Sequence, residues 1–470
     1  MFRLGIFLVI MKLTHILKLG IMVALIGTGV AMIYASDMHE LADMKVILLV
    51  TTALGLWITG LLPEYITALL FFLFAMLFAV APPEIIFFGF GSTALWLVIG
   101  GLILGLGITS TGLGKRIAET VTPYLHGSYV KLIGGLVLIN VLFSFVMPSA
   151  MGRIALLVPI AMAMATHFGF TTKSNGFMGI ILATILGSFI PAFAILPANI
   201  PNMILTGMSE SLYQYVPSYG AYLLLHFPIL GALKALIITG LIVYFYPDTP
   251  TVKDQHDMDP SEPMTPKEKI LSVVLVSLVA LWLTDAFHHI SPAWIALAGA
   301  IVIALPRINI ISKSDFNEKI NYGSIFFIAG ILGLGNLIQH SNIGNALATH
   351  LTAVMPLDIH TPFINFMTLS ISAMLTGIVT TLPGAPAVLT PLSSTLAQAS
   401  GLSVPAAVMT QIVGFSMVLF PYQAPPILIG AHIAGIPLKS ILKICFLLAI
   451  ISILFLLPLD YLWWQLLGWI

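Results

Sequence analysis

Charge is what this 470-residue chain has least of: Asp, Glu, Lys and Arg make up 8% of it, against 59% hydrophobic residues. A soluble globular composition is thereby excluded, since so few polar groups cannot cover a water-facing surface. The 18 basic and 18 acidic residues cancel, so the charge balance implies neither nucleic acid nor an anionic lipid surface as a partner. A single cysteine, Cys445, excludes an internal disulfide and a cysteine-rich metal site. Acidic residues are also missing from the middle of the apolar runs: Glu64, Glu84, Asp285, Asp358 and the rest fall in loops or at run ends. A proton-carrying carboxylate inside these runs is therefore not expected, which leaves His226 and His432 as the titratable candidates on them. Enzyme motifs are lacking as well. There is no His-Glu-x-x-His, no Gly-x-Ser-x-Gly and no cluster of metal ligands; His288-His289 is a poor chelate. The glycine-rich stretch 101–116 fails the phosphate-loop spacing because Thr109 stands where the first glycine belongs. The chain reads as no enzyme, and no cofactor is expected.

What is present is a succession of apolar runs, many of the ~17–25 residues that cross a hydrocarbon core as a helix. They read as spans at 19–35, 45–62, 65–81 and 93–111, a long tract 131–166, then 176–206, 221–246, 270–287, 292–306 and 322–340. A second long tract at 361–399, then 405–436 and 440–460, completes the series. Residues 1–44 carry Arg3, Lys12 and Lys18 ahead of the first run and read as an N-terminal segment with a retained span, although the pattern also fits a cleavable signal peptide. With a cytoplasmic N-terminus, Lys115, Arg116, Lys131, Lys173, Lys253, Lys267, Lys269, Arg307, Lys313, Lys319, Lys439 and Lys443 all fall on the cytoplasmic side, while 207–220 and 341–360 hold no lysine or arginine. A multi-pass protein of the cell (inner) membrane is expected. The proline-rich, charged stretch 247–269 reads as a cytoplasmic linker between a first repeat, 45–246, and a second, 270–436, with 437–470 as last span and C-terminus.

The halves resemble each other. "LILGLG" begins at Leu102 and "GILGLG" at Gly330, 330 − 102 = 228 apart, and Pro63 and Pro292 differ by 292 − 63 = 229. Pro159 and Pro391 differ by 391 − 159 = 232, Pro201 and Pro426 by 426 − 201 = 225. The charge pattern starts the first repeat at the cytoplasmic face and the second at the outer one, so the expected fold is all-α with two inverted repeats. In each, a long tract is interrupted at its centre, by Pro148-Ser149-Ala150 with Gly152 in the first and by Pro383, Gly384 and Pro386 in the second. Each tract is then a re-entrant hairpin, or two plain spans joined by a tight outer turn. A broken span follows each tract, "LPANIPNMILTG" (196–207) and "FPYQAPPILIG" (420–430), and paired prolines there free backbone groups that can face a shared cavity. Arg153 stands inside the first tract. Such a residue must face water, an anion or carbonyls. For Lys234, snorkelling or a bond to a backbone carbonyl is expected.

"LPEYITALL" (62–70), "GFGSTALWLVIGGLILGLGITSTGLGKRIA" (89–118) and the two hairpin-plus-broken-span units resemble the divalent anion/sodium symporter family over nearly the whole chain. The family's Ser-Asn-Thr tip triplets align with Ser149-Ala150-Met151 and Thr381-Leu382-Pro383, so only the serine is kept. Its broken-span turns align with Asn199-Ile200-Pro201-Asn202 and Ala424-Pro425-Pro426-Ile427, so the second asparagine is lost. The resemblance implies Ser149, Ala150, Met151, Asn202, Thr380, Thr381 and Pro383 at the substrate, and a sodium site from Ser149, Gly152, Asn199, Thr381 and Ala424. Arg153, lying in the same segment as the missing asparagine, is expected at the cavity end of the hairpin, where its planar fork suits carboxylate or sulfate and its fixed charge would stand in for a sodium ion. The implied protein is a homodimeric secondary transporter of a small anion, a di- or tricarboxylate or sulfate-like ion, working as an elevator with sodium as the coupling ion. Proton-coupled transport or exchange of another organic anion is the alternative; a membrane-embedded enzyme is a distant third.

Overall fold

The computed structural model describes residues 41–125, 127–250, 263–341 and 349–470; the expected span 19–35 and residues 251–262 of the expected linker lie outside them. Among the described residues every regular element is helical. Eight of the described helices are long and apolar enough to cross a membrane, or nine spans if Gly384–Ser400 and Val404–Phe415, bent by 115°, count as one. The chain is an all-α polytopic membrane protein. Serine sets many of the helix starts. Ser92, Ser128, Ser149, Ser174, Ser218 and Ser403 each accept the backbone N–H three residues on, satisfying one of the donors that a helix start leaves open.

The first half runs α1 (Leu41–Thr59), α2 (Glu64–Leu77), α3 (Thr93–Thr111), a hairpin of α4 (Tyr129–Val146) and α5 (Ala150–His167), a broken span of α6 (Asn175–Phe189) and α7 (Ile200–Tyr213), and the long α8 (Tyr219–Phe245). The second half repeats this order: α9 (Pro266–Leu283), α10 (Pro292–Ala304), α11 (Tyr322–His340), a hairpin of α12 (Pro362–Thr380) and α13 (Gly384–Ser400), a broken span of α14 (Val404–Phe415) and α15 (Pro425–Ala434), and the long α16 (Leu438–Leu466). Even a widened, π-helical turn recurs, at Phe227–Leu233 in α8 and Ser452–Leu456 in α16, beside Pro228 and Pro458.

Packing between the halves is reciprocal. Helix α3 lies along α10 and α11 along α2, while α5 packs on α15 and α7 on α13. Exchanging the halves maps each pair onto the other, as a two-fold relation requires. Small residues permit the approach: a Cβ on Gly100 would sit 2.9 Å from the Ala296 carbonyl carbon, and one on Gly330 would sit 2.7 Å from the Ala68 Cβ.

The first hairpin tip is Met147-Pro148-Ser149. Each arm has 18 residues, about 27 Å of helix, long enough to span. Yet Pro148 rests against Gly101, where a Cβ would come within 2.8 Å of the proline Cβ, and Gly101 is the ninth of the 19 residues of α3. The tip therefore stops at mid-height of a spanning helix. This is a re-entrant hairpin, not two plain spans.

Candidate functional site

A cavity of about 370 Å³ lies where the two hairpin tips meet the two broken spans. Its walls take Met147 to Gly152 from the first tip, Leu382 and Pro383 from the second, Asn199 to Pro201 and Met203 from the first break, and Gln423 to Pro426 from the second. One side is closed by the glycine face of α3, through Gly101 and Gly105. Four helices start at this wall: α5 after Ser149, α7 after Asn199, α13 after Pro383 and α15 after Ala424. Each presents the electropositive end of its backbone dipoles, roughly half a positive charge, although Pro425 and Pro426 leave the start of α15 without a free N–H.

Among the described residues the charged side chains that border the cavity are Glu64, which opens α2, and Lys319, which precedes α11. Lys319 is paired with Asp315 at 2.6 Å. Hydrogen bonds from Lys319 and then from Ser312 hold the Asp315 carboxyl well below the usual carboxylate range.

Of the residues read from the sequence, Ser149, Ala150, Met151, Gly152, Asn199, Pro383 and Ala424 line the cavity. Ser149 caps α5 by accepting the Gly152 N–H at 3.1 Å. Asn199 donates to the Phe189 carbonyl at 3.3 Å, and its Oδ1 has no partner. The other four expected residues are not on the wall. Asn202 is fully buried and donates to the carbonyls of Phe193 and Ile195, both at 3.1 Å, holding the unwound stretch in place. Thr380 turns its hydroxyl back to the Thr376 carbonyl at 2.8 Å. Thr381 ends α12 with a positive φ of 71° and an extended ψ of 166°, and does not line the cavity that Leu382 and Pro383 border.

Arg153 is the largest departure. Its side chain is completely buried and stands behind the wall. The guanidinium donates to the carbonyls of Met147, Ser188 at 2.9 Å and Ala198 at 3.2 Å. These are the carbonyls freed by the hairpin tip, the end of α6 and the first break. The physical reason is local: three unpaired buried carbonyls attract the guanidinium more closely than the cavity does. An analogous arrangement holds in the second half. Lys234 Nζ, also fully buried, donates to the Ser416 carbonyl at 3.1 Å and to its Oγ at 3.0 Å. Ser188 and Ser416 lie 416 − 188 = 228 apart, the repeat offset.

Two residues were missed by sequence reading. Gln423 is fully buried and lines the cavity; its Oε1 accepts the N–H groups of Leu419 and Phe420 at 2.9 and 2.8 Å, and its Nε2 has no partner. A lone amide between two prolines in "FPYQAPP" was the available signal. Asp460 overturns the expectation that acids avoid the spans: it is fully buried inside α16, which extends to Leu466, beyond the apolar run 440–460.

A membrane protein of Cupriavidus necator is 23% identical over 392 residues, 81% of this chain and 76% of that protein. The L-tartrate/succinate antiporters of Shigella boydii and Escherichia coli are each 25% identical over 57% of this chain, which spans 58% of their length. Among solved structures, the YdaH transporter of Alcanivorax borkumensis shares the fold, with a TM-score of 0.54 and 16% identity over 82% of this chain and 88% of that one. A family model for the transmembrane region of sodium:sulfate symporters matches residues 13–470, which together with the all-helical fold establishes that the chain belongs to this family of membrane transporters and is not an enzyme.

Proposed function

We infer that the protein is a secondary transporter that exchanges small dicarboxylates across the membrane without using a sodium gradient. The observation that carries the anion is the convergence of four helix starts on one cavity, to which Glu64 alone among the described residues contributes a carboxylate, with Gln423 in its wall. The cavity volume of about 370 Å³ suits a four-carbon diacid rather than a large conjugate. Arg153 and Lys234 supply fixed positive charge at the carbonyl ends of α6 and α14, in place of coupling ions. A carrier whose countercharge is built in resets most readily with a second anion bound, which favours exchange, and the tartrate/succinate antiporters provide the kind of substrate.

The cavity borders Lys319, Ile320 and Asn321 but no residue of 207–220. With the orientation that the lysine and arginine distribution favours, this is a cytoplasm-facing state of inverted repeats. The hairpins and broken spans would move as a unit against α2, α3, α10 and α11, within a homodimer. Proteoliposomes provide the test. Labelled succinate should enter vesicles preloaded with tartrate or succinate at the same rate in sodium and in potassium buffer. Uptake into empty vesicles that requires an inward sodium gradient would overturn the exchange reading.

A further inference from the structure

Behind the second broken span, α8 and α16 bury a group of ionisable side chains that takes no part in the cavity wall. Asp460 is fully buried, and neither carboxylate oxygen has a hydrogen-bond partner. Lys234 lies near enough for the two charges to act on each other, but it spends its hydrogen bonds on Ser416. The indole N–H of Trp464, one turn after Asp460, points at the carboxylate as a weak donor, outside ordinary hydrogen-bond geometry. His226 is packed between Tyr222 and Trp464, with ring centroids 4.7 and 5.9 Å away, and neither ring nitrogen has a partner. From α12 the neighbours are Phe363 and Phe366, both against Tyr461, and Phe366 also against Trp464. The titratable and charged groups around Asp460 are thus Lys234, His226 and Tyr222 on α8 and Tyr461 on its own helix, while the end of α14 contributes the Ser416 hydroxyl.

An ionised carboxylate without donors in an apolar interior is among the costliest groups a protein can hold, whereas the neutral acid is far cheaper. Lys234, with two acceptors at Ser416, is provided for as a cation. We propose that Asp460 is a proton-binding site that sets the net charge behind the second broken span, and so couples protons to anion binding. With the proton on, Lys234 is uncompensated and the cluster carries one positive charge. With the proton off, Asp460 cancels it. The charge sits at the Ser416 carbonyl, from which the unwound stretch leads to Gln423 and Ala424 on the cavity wall. A proton bound at Asp460 therefore favours a dianion in the cavity, and by linkage a bound dianion favours the proton. The proposal rests on the dicarboxylate reading of that cavity.

L-tartrate is the probe, because carboxyls of its kind are both ionised above about pH 6, so its own charge stays constant. Its binding to the purified protein, followed by calorimetry, should tighten by up to about tenfold for each unit that pH falls, as one linked proton requires. Asp460→Asn, a permanently neutral carboxyl analogue, should bind at the tight limit with no pH dependence, and His226→Gln should keep the wild-type dependence. The converse pattern, with Asp460→Asn unchanged and His226→Gln flat, overturns the proposal. Should Asp460→Asn fail to fold, the wild type still decides. Calorimetry in two buffers of different ionisation enthalpy must show proton uptake on tartrate binding, and zero uptake rejects the coupling. If neither tartrate nor succinate binds, it is the dicarboxylate reading that fails. The proton site is then judged on unliganded protein, whose melting temperature should vary with pH between about 5 and 9 in a step that Asp460→Asn removes, and persistence of the step rejects the site.

Discussion

Breaking a helix inside a membrane leaves carbonyls that water cannot serve, and Arg153 shows how one side chain answers that need. Its fork reaches Met147, Ser188 and Ala198 at once; a lysine ammonium is a point donor on a flexible stem and cannot span three sites set in different segments. Each buried carbonyl left without a donor costs about 1–3 kcal/mol. Arg153→Lys should therefore lower stability by about that amount while keeping tartrate affinity near wild type, because the charge stays. Arg153→Gln should destabilise more and, at matched stability, weaken tartrate binding about tenfold, since one fixed charge near a dianion is worth at least about 1.4 kcal/mol at short range in a protein interior. Melting curves and binding isotherms on both variants check this; unchanged affinity in Gln would remove any electrostatic role. The tips themselves were readable, since proline and small residues at the centre of an apolar tract mark an interruption, and Ser149, Gly152, Asn199, Pro383 and Ala424 do reach the cavity. The direction of each side chain was not. Asn202 and Arg153 turn inward to carbonyls, and in an unwound turn no helical or strand period fixes which way a residue points.

Helices in this protein approach through glycine, and the close contacts decide which elements can shift. Gly414 in α14 faces α12 so closely that a Cβ would lie 2.2 Å from the Ser370 carbonyl oxygen. Backbone cannot retreat as a side-chain tip can, so Gly414→Ala must push the second hairpin away from its broken span. A loss of about 1–3 kcal/mol is expected, the usual range for overpacking. Gly240 in α8 is the control, with nothing within 4 Å of its added Cβ. Gly240→Ala should be neutral or stabilise by up to about 1 kcal/mol through helix propensity. Thermal unfolding of the two variants in one detergent gives the comparison, and a Gly414→Ala protein as stable as wild type would show that the hairpin yields freely. Element order was legible because prolines recur at offsets of 225 to 232 residues and apolar runs have spanning length. The sharp 115° turn between α13 and α14 was not, since Gly401, at φ 70°, serves equally well to end any helix.

The two halves pack reciprocally through their spans, and an ion pair ties them outside the apolar spans. Arg116, in the short helix Leu113–Val121 after α3, donates to Glu268 at 2.7 Å, 152 residues further along. Glu268 sits in the polar first turn of α9 and also closes a capping box with Thr265, accepting its N–H at 2.7 Å while the Thr265 hydroxyl accepts from the Glu268 N–H at 3.2 Å. The hydrogen bond from Arg116, with help from the Thr265 N–H, holds the Glu268 carboxyl down at about 2. A carboxyl depressed in the folded state stabilises the fold fully above its ordinary pKa of about 4.5, and that contribution drains away as pH falls from there through about 2. The difference in melting temperature between wild type and Glu268→Gln should therefore be constant near neutral pH and close steadily below about 4.5. Added salt should change it little, because the Glu268 side chain is only 4% exposed and Arg116 19%. A gap that vanishes in molar salt at neutral pH would mean that the pair is no more than a screened surface contact. A gap that persists in salt but closes in acid identifies this ion pair as a point where the two halves are held in register.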